Sequence, residues 1–166
     1  MTVSALWQAR IDELWATLDE DSDPDGFIAS MDELYAERGD DDALALFERG
    51  GARDSVGRPE AAVPLYRAAL ALGLPSELQR RATIQMASSV RNLGDPEESL
   101  RLLTEERARV SDDLDDAVAV FLALALSSLG RDREALSITI GALASHLPRY
   151  GRSSANYARD LVDPDV

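Results

Sequence analysis

The sequence predicts an all-α fold, a right-handed α–α superhelix (solenoid) of about nine helices, because three features point to stacked helical hairpins. Alanine and leucine dominate the 166 residues and aromatic residues make up only 5%, a composition that favours helices over sheets. The glycines Gly57, Gly94 and Gly130 are separated by 37 and 36 residues. Apolar residues recur with helical spacing on both sides of each glycine, so the chain is built from repeated helix–turn–helix units.

Two helices are predicted ahead of the repeats, over residues 4–18 and 27–38. We expect both to cover the exposed end of the first repeat, since solenoids need terminal caps. Trp7 and Trp15 lie on the apolar face of the first helix. Tryptophans on such a face are more typical of core than of a partner-binding surface.

Helix start signals fall where the repeats require them. Asp95 is predicted to be an N-cap, followed by Pro96 at the first helical position and by Glu98 as the capping-box acid. Ser76 and Gln79 have the spacing of a second capping box. These signals place a helix start near residue 76 and another near residue 96.

The sequence also predicts where helices end and where two other helices start. The three repeat glycines are expected to be left-handed C-terminal caps. Asp112 is expected to cap the apolar helix that follows it. Pro64 should kink the helix that starts at Pro59, or delay its start, because it lacks a backbone N–H.

The repeat resembles the tetratricopeptide repeat (TPR) family over residues 43–145, and the stretch AVPLYRAALALGL is most similar to a bacterial long-repeat subgroup of largely unassigned function. The family pattern has small residues at repeat positions 8, 20 and 27 and a large one at position 24. The spacing here exceeds the family's ~34 residues, and Glu106 stands where alanine is usual. In the order 8, 20, 27 and 24, these positions hold Gly50, Ala62, Ala69 and Tyr66 in the first repeat. They hold Ala87, Ser99, Glu106 and Leu103 in the second repeat, and Ala123, Ala135, Ala142 and Thr139 in the third.

The resemblance implies one helical domain spanning residues 1–166. Its expected parts are N-terminal capping helices, three repeat pairs and a C-terminal capping helix. These parts cover residues 1–40, then 41–75, 76–110 and 111–147, and finally 148–162.

In this family the first helix of each repeat lines a concave groove that binds a protein or peptide, so the resemblance implies a non-catalytic scaffold. Chaperone-binding members hold a C-terminal carboxylate with groove lysines and asparagines, but Phe47 and Gly51 occupy the first of those positions here. That specialised activity is therefore not implied. The groove positions carried over to this chain include Phe47, Arg81, Ile84, Ser88, Arg91, Asn92, Val120 and Leu124.

Arg81 and Arg91 form an arginine pair at the centre of the expected groove. They have two interpretations. They bind an acidic or carboxylate-bearing peptide, or they neutralise the chain's own excess of acids, which the net charge of −14 favours.

Composition excludes several function classes. A net charge of −14, of which −11 falls in residues 1–60, repels phosphate backbones, so nucleic acid is not an expected partner. The longest uncharged apolar run has ten residues, too few for the ~20 of a membrane span. With no secretory signal pattern and no cysteine, we expect a cytoplasmic protein.

One segment matches a calcium-binding loop in spacing. Asp21, Asp23, Asp25 and Gly26 fall at positions 1, 3, 5 and 6 of an EF-hand loop, with Asp32 at position 12. Pro24 lies inside the loop and no second loop pairs with it. The alternative is that Asp25 caps a helix starting near Gly26, and the sequence favours that alternative.

Catalytic signals are absent from the sequence. His146 is the single histidine, and its position near a helix end fits a dipole-stabilised residue better than a catalytic base. No nucleophile, zinc or phosphate-binding motif occurs, so we expect no enzyme activity, cofactor or metal.

Self-association is the alternative function. Residues 117–126 are apolar nearly all round, so both faces of that helix should be covered. The second face is expected to meet the terminal helix, a partner or a second copy, and the terminal helix demands least. That terminal helix is predicted to pack through Tyr157 and Leu161. A homo-dimer would use residues 117–126 or the tryptophan face.

Overall fold

The computed structural model describes residues 3–109 and 111–163. These residues form nine α-helices and contain no strand, so the predicted all-α fold class is confirmed. The helices are α1 (Val3–Trp15), α2 (Pro24–Ala36), α3 (Ala43–Ser55), α4 (Pro59–Leu72), α5 (Ser76–Asn92), α6 (Pro96–Arg109), α7 (Asp115–Ser128), α8 (Asp132–Ala144) and α9 (Gly151–Asp160).

The chain divides into two compact units, one ending at Ser89 and the other beginning at Val90. In the first unit, α2 packs against α1 and α3, and α3 packs against α4. In the second unit, α7 packs against α6 and α8, and α8 packs against α9. These six helix pairs are all neighbours in sequence, as in a repeat protein. The expected boundaries of the repeat pairs stay a prediction.

The repeat glycines are the helix caps that the sequence predicts. Gly57, Gly94 and Gly130 have φ angles of 76°, 91° and 73°. In this left-handed region a side chain is strained, whereas glycine is not. The near-equal spacing of the three glycines therefore reflects a turn that recurs along the chain.

Asp95 is confirmed as an N-cap. Its carboxylate accepts a hydrogen bond of 3.0 Å from the backbone N–H of Glu98, directly ahead of α6. The second half of the predicted capping box is wrong, because the backbone N–H of Asp95 donates to the carbonyl of Val90 instead. The Glu98 carboxylate binds Arg101 one turn along the helix at 2.6 Å.

The predicted capping box at Ser76 is also wrong. Ser76 is already helical, and the carbonyl of Pro75 accepts the first hydrogen bonds, from the backbone N–H groups of Leu78 and Gln79. The side-chain amide of Gln79 donates to the carbonyl of Leu74 at 2.6 Å. A serine hydroxyl caps from the residue before the helix, and proline fills that position here.

Two other start signals act differently from the prediction. Helix α4 begins at Pro59 and continues through Pro64, so the predicted delay of its start is wrong, whereas the alternative of a kink at Pro64 stays a prediction. This proline lies near the N-terminus, where it removes a single hydrogen bond. Asp112 accepts from the backbone N–H of Leu114 at 2.8 Å, whereas α7 begins only at Asp115. It therefore stabilises the turn that precedes the helix.

The family signature positions are buried in the first two repeats. Gly50 packs so closely on α4 that a Cβ atom there would lie 3.1 Å from the Tyr66 ring. Glu106 is buried, and its carboxylate binds Arg109 at 2.8 Å. This ion pair explains how an acid occupies a position where alanine is usual. In the third repeat Thr139 is exposed.

Trp7 belongs to the core, whereas Trp15 is half-buried. Trp7 is buried and its indole N–H donates to the carbonyl of Leu34 at 2.8 Å. The Trp15 ring meets the Phe27 ring edge-on, with centroids 5.3 Å apart. The tryptophan face is therefore used within the first unit, joining α1 to α2.

The predicted packing face of the terminal helix is wrong. Tyr157 is 69% exposed, whereas Ala158 is buried. Helix α9 approaches α8 so closely that a Cβ atom on Gly151 would lie 2.5 Å from the Ala144 carbonyl oxygen. At such a close approach, small residues fill the contact and the large aromatic side chain is turned outward.

Candidate functional site

Three helices of the first unit, α1, α3 and α5, line a cavity of about 260 Å³. The cavity brings together two residues of the predicted groove, Phe47 and Arg81. Its other lining residues are mostly polar and come from all three helices: Gln8, Asp12, Trp15, Glu48, Gly51, Ser55 and Gln85.

Arg81 is the exposed cation of this cavity. Its guanidinium carbon lies 5.5 Å from the centroid of the Phe47 ring, a cation–π arrangement that limits where the guanidinium moves. Phe47 is 2% exposed and packs on the Tyr66 ring with centroids 6.1 Å apart. A rigid aromatic therefore supports a solvent-facing charge.

Glu48 supplies a carboxylate next to that charge. The indole N–H of Trp15 donates to Glu48 Oε2 at 2.7 Å. Burial raises the pKa of Glu48, and this effect outweighs the Trp15 hydrogen bond and the charge of Arg81, which both lower it. Gly51 makes room for the indole, since a Cβ atom there would lie 3.2 Å from Trp15 Cζ2.

Gln85 also lines the cavity and carries an unsatisfied acceptor. Its Oε1 is buried and has no hydrogen-bond partner among the residues that the structure describes. Buried polar atoms in folded proteins are nearly always hydrogen-bonded, so an unsatisfied one within a cavity is a place for a ligand or water donor.

Asp54 holds α5, and with it Arg81, against the rest of the site. Ser89 Oγ donates to Asp54 Oδ1 at 2.6 Å, and Tyr66 Oη donates to Asp54 Oδ2 at 3.3 Å. Burial and the Asp54 charge raise the pKa of Tyr66 well above its ordinary value, so the phenol stays a donor. One carboxylate thus ties α3, α4 and α5 together.

The other predicted groove residues of the first unit contribute less exposed surface. Ile84 is buried and Ser88 is half-buried. In the second unit, the Arg91 guanidinium donates to Asn92 Oδ1 at 3.0 Å. The Nε atom of Arg91 is buried without a hydrogen-bond partner within the described ranges. Whether all eight residues line one groove stays a prediction.

Helix α7 presents an exposed apolar pair. Val120 and Leu124 lie one turn apart and are 47% and 40% exposed. The alternative that the terminal helix covers this face is therefore wrong, and coverage by a partner or a second copy stays a prediction. Helix α9 packs against α8 instead of extending over these two side chains.

The aspartate-rich segment begins a helix. Asp23 is the N-cap of α2 and accepts from the backbone N–H of Asp25 at 3.1 Å, with Pro24 at the first helical position. The prediction that Asp25 is the cap near Gly26 is therefore two residues too late. Proline at the first helical position explains the difference, because its missing N–H costs nothing there.

The same segment does not have the geometry of a calcium loop. Asp25 binds Arg58 at 2.6 Å, and Asp32 binds Arg49 and Arg53 at 2.7 and 2.8 Å. Between Pro24 and Ala36 the backbone is helical throughout. Within residues 3–109 and 111–163, no three acidic or histidine side chains are grouped to hold a metal ion.

His146 lies just beyond the C-terminus of α8. Its Nε2 is 2.7 Å from Asp116 Oδ2, and both side chains are more than half exposed. The contact links the loop after α8 to the first turn of α7. His146 therefore has a structural partner, in addition to the helix dipole that the sequence suggests.

Helical hairpins with buried signature positions and a polar cavity across neighbouring helices define a helical-repeat protein. The model of the family described as Tetratrico peptide repeat matches residues 43–161, and the chain belongs to this family. The match begins at the first residue of α3 and ends just after α9. Tetratricopeptide repeats generally mediate protein–protein interaction, and the family generally serves as a non-catalytic scaffold.

Comparison with curated proteins gave no match, and comparison with solved structures gave none either. Among the described helices, none is both long enough and apolar enough for a membrane span.

Sequence reasoning did not identify Trp15, Glu48 or Gln85 as site residues. Trp15 lies outside the family match, on a helix that has no repeat register. Glu48 and Gln85 neighbour predicted groove positions, but only tertiary packing shows that they face the same cavity. The sequence does contain one indication of their role, because Glu48 and Gln85 are polar residues within otherwise apolar helical patterns.

Proposed function

We propose that the first unit binds an extended segment of a partner protein at the α1–α3–α5 cavity, and that Arg81 contacts a carboxylate of that segment. The observation that supports the proposal most directly is that the Arg81 side chain is exposed and lacks a carboxylate partner among the described residues. Its guanidinium rests on Phe47, and no carboxylate lies within ion-pair distance among the described residues.

The competing interpretation, that Arg81 only neutralises the chain's own acids, has less support. Arginines with that role in this chain contact carboxylates directly, as Arg53 does with Asp32 at 2.8 Å and Arg101 with Glu98 at 2.6 Å. Glu48 influences Arg81 through its charge without an ion pair. An arginine left unpaired in a chain of net charge −14 is available to an external anion.

The cavity also offers contacts for the backbone of a bound segment. A turn of the Gln85 side chain toward the cavity lets its buried Oε1 accept a peptide N–H and gain the hydrogen bond that it lacks in the free protein. The Glu48 carboxylate is already held by Trp15, so its position is fixed before binding. A partly preformed site reduces the ordering cost of binding.

The test is selection from a displayed peptide library with free C-termini, followed by fluorescence anisotropy on the enriched peptides. We expect the enriched peptides to contain an acidic group and to bind Arg81→Glu at least about tenfold more weakly than wild type. A hydrogen bond to a charged group contributes roughly 1.5–3 kcal/mol, and about 1.4 kcal/mol is a tenfold change.

The matched control is Arg152→Glu, which makes the same charge change at an exposed arginine on α9. We expect it to bind the peptides as wild type does. Thermal melts of all three proteins establish that the folded state is retained. Failure to enrich any peptide, or equal affinity of wild type and Arg81→Glu, contradicts the proposal.

Self-association is a second candidate, and the exposed Val120 and Leu124 support it. The version that uses the tryptophan face loses its support, because Trp7 is buried and Trp15 is bonded within its own unit. The α7 version predicts a dimer in sedimentation at high protein concentration, and a monomer for the Val120→Glu variant. A wild-type monomer at that concentration contradicts it.

A further inference from the structure

A larger cavity, of about 660 Å³, lies within the second unit. Residues from α7, α8 and α9 line most of it, and the end of α6 completes it. Its volume falls in the range of small-molecule sites. The cavity is separate from the α1–α3–α5 site in both residues and helices, so its role is independent of the function proposed above.

The floor of the cavity is apolar and made mostly of small residues. A Cβ atom added to Gly141 would meet nothing within 4 Å, so the middle of α8 faces open space. Ala119, Ile138, Ala142 and Ala155 surround this position. Ala142 is only half-buried, whereas Ala69 at the equivalent position of the first repeat is fully buried, so the helices around Ala142 are less closely packed.

The polar residues lie at two ends of this floor. Consecutive helices run antiparallel, so Asp115 and Asp116 at the start of α7 lie level with Ser145 at the end of α8. By the same reasoning, Arg159 near the end of α9 lies level with Ser137. Eight residues of helix separate the two levels, which corresponds to about 12 Å.

The two ends differ in charge. Asp115 and Asp116 carry negative charge at one end, where Arg107 also lines the cavity. At the other end Arg159 donates to the amide oxygen of Asn156 and forms no ion pair with any described carboxylate. Arg159 is thus a cation available to an anion, at the end far from the aspartates.

We propose that this cavity binds a small amphiphilic carboxylate, an unbranched apolar chain with one terminal carboxylate. The carboxylate binds Arg159 with help from the Ser137 hydroxyl, and the chain lies over Gly141, Ala142 and Ala155. At the other end the carboxylates of Asp115 and Asp116 outnumber the guanidinium of Arg107 and therefore disfavour a second anionic group there. The length of the floor suits a chain of roughly the size of octanoate.

The probe is octanoate, with octanamide as its neutral counterpart, in titrations followed by ¹H–¹⁵N NMR of the full chain. We expect shifts at the floor residues, with octanamide binding at least tenfold more weakly because it lacks the charge that Arg159 recognises. Suberate, which has a carboxylate at both ends, should also bind at least tenfold more weakly than octanoate.

Two variants locate the site. Arg159→Gln should weaken octanoate binding at least tenfold, whereas Arg152→Gln, an exposed arginine on the same helix that does not line the cavity, should leave it unchanged. Gly141→Leu should abolish binding, because its side chain enters the open space without displacing another group. Melting curves establish that each variant is folded.

Three results would contradict the proposed octanoate site or one of its parts. Absence of NMR shifts with octanoate at millimolar concentration overturns the proposal. Equal affinity for octanoate and octanamide overturns the role of Arg159, and undiminished binding to Gly141→Leu places the ligand outside this cavity.

Discussion

The ion pair between α2 and α3 allows a quantitative test of how the first unit is held together. Asp32 on α2 accepts hydrogen bonds of 2.7 Å from Arg49 and of 2.8 and 2.9 Å from Arg53, both on α3. The substitution Asp32→Asn keeps the size of the side chain and removes its charge. It therefore isolates the electrostatic part of this contact.

The expected loss is about 1–2 kcal/mol of unfolding free energy at neutral pH. Hydrogen bonds to charged groups contribute roughly 1.5–3 kcal/mol in favourable sites, and exposed ion pairs contribute about 0–1 kcal/mol. Asp32 lies between these cases, since its side chain is 35% exposed. Asparagine retains one acceptor, which reduces the loss further.

The loss should depend on pH. Burial raises the pKa of Asp32, but the hydrogen bonds from Arg53 and Arg49 outweigh burial and hold the pKa below its usual range. A carboxylate with a lowered folded-state pKa stabilises the protein fully above its unfolded pKa, about 4, and loses that contribution as pH falls through the folded-state value. The difference in stability between wild type and Asp32→Asn should therefore narrow as pH falls below about 4.

The assay is urea unfolding followed by tryptophan fluorescence. Trp7 and Trp15 both lie in the first unit, so the signal reports the unit that contains Asp32. The control is Asp41→Asn, which removes the same charge from an exposed side chain. Equal unfolding free energies of wild type and Asp32→Asn at pH 7 would refute the reasoning. So would a difference in unfolding free energy between these two proteins that does not narrow below about pH 4.

Two glycine-to-alanine substitutions should have opposite effects on stability. Gly50→Ala places a Cβ atom 3.1 Å from the fully buried Tyr66 ring, so the strain should exceed the gain in helix propensity and cost about 1 kcal/mol in urea unfolding. Gly141→Ala places a Cβ atom in open space and should stabilise the second unit by about 1 kcal/mol, measured by circular dichroism. A stabilised Gly50→Ala, or a destabilised Gly141→Ala, contradicts these packing arguments.

The repeat was predictable because its determinants are local. Gly57, Gly94 and Gly130 mark a backbone conformation that few other residues adopt, so their spacing alone locates the turns. Asp95 likewise acts on the helix that directly follows it. Signals of this kind depend on a few neighbouring residues, so they can be recognised in a single sequence.

The errors arose where packing decides between equivalent local patterns. Tyr157 was expected to face the core because it is the largest apolar residue of α9, but the close approach of α9 to α8 admits only small residues such as Ala158. Ser76 has the residue type of an N-cap, yet Pro75 already occupies the position before the helix. Hydrophobicity and residue type do not encode such distances.

The candidate site was predictable in part. Register within the family pattern led to Phe47 and Arg81, which the structure brings together. The contribution of Trp15 depends on how α1 packs against α3, and nothing in the repeat register specifies that packing. The unsatisfied acceptor of Gln85 is visible only once its neighbours are placed.

The measurement that tests the central claim most directly is a repeated peptide selection on the Arg81→Glu variant under the conditions used for wild type. If Arg81 contacts a carboxylate of the bound segment, the acidic residue or terminal carboxylate shared by the wild-type peptides should disappear, and a basic residue should replace it. Enrichment of the same acidic peptides by both proteins would show that the segment binds elsewhere and would contradict the account.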